Sequence, residues 1–114
     1  MSKSSSARAR LEGAGGGRFL ISGVLDATTA GEMLKQSREP FASVGALDID
    51  LAGVSEADSA GLALLIEWVR LAKQAGHSIR FENVPDQIAA LARISEVDDL
   101  LFGGAALAAD AATA

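Results

Sequence analysis

Apolar and polar positions alternate in three separate places along the chain, and each alternation predicts a β-strand. Residues 7–13, ARARLEG, set small or apolar side chains against Arg8, Arg10 and Glu12 with a period of two. Residues 46–51, ALDIDL, put Leu47, Ile49 and Leu51 on one face and Asp48 and Asp50 on the other. Residues 78–83, SIRFEN, set Ile79 and Phe81 against Arg80 and Glu82 in the same way. A further short strand, RFLIS at 18–22, follows the glycine run GAGGG at 13–17, which has the composition of a hairpin turn. That run does not read as a phosphate loop, because such a loop must lead into a helix whose amides face the phosphate.

Between the strands the period lengthens to that of a helix. Asp26 or Thr28 can cap a helix running to about residue 37, with Ala30, Met33 and Leu34 facing inward, and Pro40 then breaks the chain. A long helix spans about 60–75 and ends at Gly76, a residue suited to a left-handed cap. Pro85 opens a third helix through about residue 94, with Ile88, Leu91, Ala92 and Ile94 periodic, and 97–102 is a last short apolar segment. The order β-β-α-β-α-β-α is that of an α/β domain. Three of the strands carry charge along one whole face, whereas a doubly wound sheet buries both faces under continuous apolar strands. The expected architecture is therefore a mixed sheet with helices mainly on one side and a wet, ion-paired surface on the other. If the last two strands are parallel neighbours, Arg80 should pair with Asp48 or Asp50.

The totals narrow the function more than the fold. At 114 residues, 49% hydrophobic and 22% charged, the chain suits one globular domain, expected at 7–102 between loose tails at 1–6 and 103–114. Its net charge of -5 opposes binding to phosphate backbones or anionic lipid surfaces. With no cysteine there is no thiol nucleophile, disulfide or thiolate metal site. No signal-type segment and no apolar run near the roughly 20 residues of a membrane span is present, so the expected address is the cytoplasm. A single histidine and scattered carboxylates supply no metal-ligand set, and no cofactor is expected.

One stretch, VSEADSAGLALL at 54–65, concentrates the remaining chemistry. A nucleophilic Ser59 would need a base within hydrogen-bond reach. His77 lies beyond the far end of the helix that starts at Ser59, about 24 Å away at 1.5 Å per residue for some 16 residues. Catalysis is therefore not expected. The sequence Ser55-Glu56-Ala57-Asp58 has the shape of a capping box, and either Asp58 or Ser59 can serve as N-cap. A hydroxyl in the first helical turn can also be a docking point, or a modification site whose phosphate the helix dipole would accommodate. Capping and docking are compatible.

With the strand before it and the long helix after it, this loop resembles the STAS domain family, the fold of anti-sigma-factor antagonists. The resemblance rests on a strand ending in Asp-Ser-small-Gly at Asp58, Ser59, Ala60 and Gly61, on the turn at Gly76, and on GVLDATTAGEML upstream. It covers about residues 18–101. DSAGLALLIEWVRLAKQAGHSIRFENVP and IAALARISEVDDLL look most like the small STAS subunits of Mla-type phospholipid-transport ABC complexes of Gram-negative bacteria. That resemblance implies a non-catalytic cytoplasmic subunit, peripheral to the inner membrane through its complex. It would bind and support the ABC transporter ATPase subunit, in a system that maintains outer-membrane lipid asymmetry. The loop hydroxyl would then lie in or near the ATPase contact, a role that falls by position to Ser59, with Asp58, Ala60 and Gly61 as its neighbours in the contact. In the anti-sigma-antagonist branch the same serine is phosphorylated by an anti-sigma factor kinase, which makes that branch the alternative. Ala60, where many antagonists carry serine, slightly disfavours it.

The long helix adds a separate clue. Leu62, Leu65, Ile66, Val69 and Ala72 form one apolar stripe, and Gly61, Leu64, Trp68, Leu71 and Ala75 form a second beside it. Together they cover about twice the roughly 100° that packing on a sheet requires. Flanking helices can account for the second stripe. The sharper expectation is that Leu64 and Trp68 extend a partner surface beginning at Ser59, since tryptophan is enriched at interface hot spots.

Overall fold

The computed structural model describes residues 8–102, so the expected tails at 1–6 and 103–114, and Ala7, lie outside the described residues. Two strands, β1 (Ala9–Gly15) and β2 (Arg18–Leu25), form an antiparallel hairpin. Helix α1 (Ala27–Ala42) leads to β3 (Ala46–Ala57), and α2 (Ser59–Ala75) leads to β4 (Ser78–Glu82). Two short helices follow, α3 (Asp86–Ile94) and α4 (Asp98–Phe102). The sheet order is β1-β2-β3-β4, with β2, β3 and β4 mutually parallel, so the sheet is mixed.

The expected faces are present. Phe19, Ile21, Leu25, Leu47, Ile49 and Leu51 are buried toward the helices, and Ile49, Leu51 and Leu65 are fully enclosed. On the open face the charges form a lattice across three strands. Arg18 on β2 reaches Asp50 on β3 at 2.7 Å and Glu82 on β4 at 2.8 Å. Arg80 reaches Asp48 at 3.3 Å and Glu82 at 3.1 Å. The expected pairing of Arg80 with Asp48 follows from the parallel register, which sets Asp48 opposite Arg80.

Several boundaries differ from the sequence expectation, each for a physical reason. The glycine turn is shorter than 13–17: β1 continues to Gly15 through a register shift after Gly13. Gly15, Gly16 and Gly17 then take φ of 89°, 65° and 84°. At Gly17 a β-carbon would sit 2.2 Å from the Ala46 carbonyl oxygen, so only glycine lets the hairpin close against the start of β3. Strands β2 and β3 run on to Leu25 and Ala57, past the expected ends at 22 and 51, because they pair in parallel through two register shifts.

Pro40 does not break the chain; it lies within α1, which continues to Ala42. A proline inside a helix costs about 3 kcal/mol. Continuing the helix buries Phe41, whose ring centroid lies 4.8 Å from that of Phe19 and 5.2 Å from that of Trp68. Burying a phenylalanine contributes about 1.5–3 kcal/mol, and each aromatic pair about 0.5–1.5 more, which is enough to offset the proline. On α3, Ile88 and Ala92 are buried as expected, but Ile94 is 79% exposed. At 100° per residue Ile94 is turned about 200° from Ala92, which points it to solvent.

Candidate functional site

The candidate site is the junction between the long strand β3 and the helix α2. Asp58 is the N-cap: its backbone is extended at φ -125° and its Oδ1 accepts from the Ala60 N–H at 2.9 Å. This resolves the choice between Asp58 and Ser59. The capping box expected at residues 55–58 does not form, because Ser55 and Glu56 are still within β3. Ser59 becomes the first helical residue and is exposed. A residue at this position contributes its amide to the positive end of the helix dipole.

The junction is held from two sides. The Asp58 N–H donates to the Leu25 carbonyl at 3.2 Å, tying it to the end of β2. Gly61 lets the first turn lie close on that strand end: a β-carbon there would be 3.0 Å from Leu25 Cβ and 3.1 Å from the Leu25 oxygen. On the other side, the Ala57 N–H donates to Oε1 of Gln87, at the start of α3, at 2.9 Å. Gln87 was not among the residues singled out from the sequence. Its contact spans 30 positions, and no local pattern marks it.

A second capped helix stands beside the first, because β2 and β3 are parallel and Leu25 pairs with Ala57. Asp26 caps α1, its Oδ1 accepting from Thr28 N–H at 2.9 Å and Thr29 N–H at 3.1 Å. Thr29 Oγ1 accepts from the Asp26 N–H at 3.0 Å, which completes a capping box. Arg8 also bonds the Asp26 carboxylate, at 2.7 Å, and this bond is the main reason its pKa lies below the ordinary value.

The structure divides the six residues expected to meet a partner. Asp58 and Ser59 are exposed, Ala60 is half-buried, and Gly61 is buried against β2. Leu64 and Trp68 are core residues, 3% and 2% exposed, which corrects their placement on an open surface. The broad apolar arc of α2 has a packing cause: α2 is the central helix, touching α1 on one side, α3 and α4 on the other, and the sheet below. Trp68 fills the α1–α2 seam, beneath a groove of about 450 Å³ bordered by Arg38, Phe41 and Leu71. Among the described residues, no helix is long and apolar enough to cross a membrane, and no group of three or more His, Cys, Asp or Glu residues could hold a metal ion.

A four-stranded sheet layered with helices on one face, and an Asp-capped central helix at its end, define the class, and comparison with known proteins narrows it. A family model described as Mlab, STAS domain, matches residues 14–102. The chain belongs to this STAS-domain family. It is 34% identical over 79 residues to the intermembrane phospholipid transport system binding protein MlaB of Escherichia coli strain K12, covering 69% of this chain and 79% of that protein. The Shigella flexneri protein of the same name matches to the same extent. Among solved structures, the anti-sigma factor antagonist SpoIIAA in its unphosphorylated form superposes with a TM-score of 0.61 at 16% identity, over 78% of this chain and 81% of that one. That likeness is one of fold.

Proposed function

We propose that this domain is a non-catalytic accessory subunit of a phospholipid-transport ABC complex, docking the ATPase subunit through the β3–α2 junction. The observation that carries the reading is the exposed Ser59, held at the first turn of α2 by Asp58 and Gly61 in a member of the Mlab STAS family. A rigid helix end with a short hydroxyl side chain gives a partner a defined surface without any chemistry of its own. The subunit would act in the cytoplasm, reaching the inner membrane only through its complex, and would support a system that keeps the outer membrane asymmetric in lipid. Ser59→Glu places a carboxylate at the contact and should abolish co-purification of the ABC ATPase subunit from the same organism, while circular dichroism stays unchanged. Retained ATPase binding in that variant would overturn the reading.

The exposed hydroxyl also favours a second reading, an anti-sigma-factor antagonist switched by phosphorylation of Ser59. A phosphate at a helix N-terminus meets a favourable dipole. The cognate kinase with ATP should then label the wild-type chain and not Ser59→Ala, and absence of label would remove this alternative.

A further inference from the structure

Strand β4 pairs with β3 only over Ala46–Asp50, yet β3 continues to Ala57. Beyond Asp50, among the described residues, no strand neighbours the edge of β3 that faces away from β2 to receive its amides. Backbone donors at such an edge need a substitute partner or water. Two side chains substitute. Asp50 Oδ1 accepts from Ala52 N–H at 2.9 Å, and Gln87 Oε1 accepts from Ala57 N–H at 2.9 Å. The second lies at the exit of the strand, one residue before the N-cap Asp58 and two before Ser59.

We propose that Gln87 is a positioning residue for the docking junction: its side-chain carbonyl stands in for the missing strand and fixes the direction in which the chain leaves β3 for α2. This rests on the docking role proposed for Ser59. Leu25 holds the junction from the β2 side and Gln87 from the α3 side, so the two contacts clamp Ala57 and Asp58 from opposite edges. Removing the Gln87 acceptor leaves one edge free. Ser59 then samples several orientations, and a partner must select the competent one. Gln87 is itself exposed, so its loss opens no cavity and the fold remains intact.

The test uses the full chain, the ABC ATPase subunit from the same organism, and the variants Gln87→Leu and Gln87→Glu. Leucine removes the acceptor, whereas glutamate keeps an oxygen at the same reach. In Gln87→Leu, amide hydrogen exchange at Ala57 should accelerate about tenfold while Ile49 and Leu65 keep their protection, and ATPase affinity should fall about 3- to 10-fold, as expected for one hydrogen bond. Gln87→Glu should restore both. Unchanged exchange at Ala57 in Gln87→Leu overturns the proposal. So does restored exchange in Gln87→Glu without restored binding, because the glutamine would then be touching the partner directly. If the wild-type chain does not bind the ATPase at all, the docking reading falls, and the exchange measurement alone decides whether Gln87 holds the strand exit.

Discussion

The indole N–H of Trp68 donates to the hydroxyl of Ser37 at 2.8 Å, across the seam between α1 and α2, and both side chains are buried. Ser37 passes the bond on to the Leu34 carbonyl, also at 2.8 Å. The single tryptophan of the chain is thus satisfied inside the core. Ser37→Ala should leave the indole donor unpaired and cost about 1–3 kcal/mol. Trp68→Ala should cost about 3–5 kcal/mol through the cavity it leaves. Urea denaturation measures both, and Trp68→Ala is thereby a stability variant rather than a probe of docking.

Gly61→Ala sets two effects against each other. Alanine gains about 1 kcal/mol of helix propensity, but the new methyl meets Leu25 Cβ, the Leu25 oxygen and Ala57 Cβ at 3.0–3.3 Å. None of these can rotate away, and overpacking costs about 1–3 kcal/mol. A net loss of about 1 kcal/mol is expected by urea denaturation, with the first turn of α2 displaced from β2. A neutral or stabilised variant would show that the strand end yields.

Acid should weaken the fold in a defined window. Asp26 is held below its ordinary 3.8, mainly by Arg8, and Asp50 likewise, mainly by Asn83. Glu82 is held below 4.5, mainly by Arg18. Carboxyls with depressed values in the folded chain contribute stability that is complete above their unfolded values and is lost as pH falls through the folded ones. The melting temperature should therefore be flat from pH 7 to about 5 and drop below about pH 4. Asp26→Asn should make that drop shallower, and an identical profile would show that Arg8 adds nothing.

Ile94→Lys should leave the melting temperature within about 0.5 kcal/mol equivalent of wild type, because the side chain is already exposed. Ile88→Lys, four helical positions from Ala92 on the buried face, should prevent folding. Thermal denaturation of the pair separates surface from core on α3.

What could be read from the sequence follows the range of the forces involved. The alternation in β3 and β4 and the left-handed Gly76 are local, and each stood in its place. The starts of α1 and α2 each left two candidate caps between which only the fold chose, Asp26 over Thr28 and Asp58 over Ser59. Pro40 misled because its local cost was offset by Phe41 packing on residues far away in the chain. Trp68 misled because a doubled apolar stripe has the same sequence whether the neighbour is a partner or α1. Ile94 was legible in principle: its angle from Ala92 excludes it from the core stripe. Gln87 was not, since its role exists only once α3 is folded beside the end of β3.

The charge lattice on the open sheet face has a meaning for assembly. Arg18, Asp48, Asp50, Arg80 and Glu82 are already matched with one another. A protein arriving on that face would have to exchange established pairs for new ones, which leaves little electrostatic gain. The sheet is in this sense an electrostatically closed back wall, which fits the docking role proposed for the end of the domain where Ser59 stands.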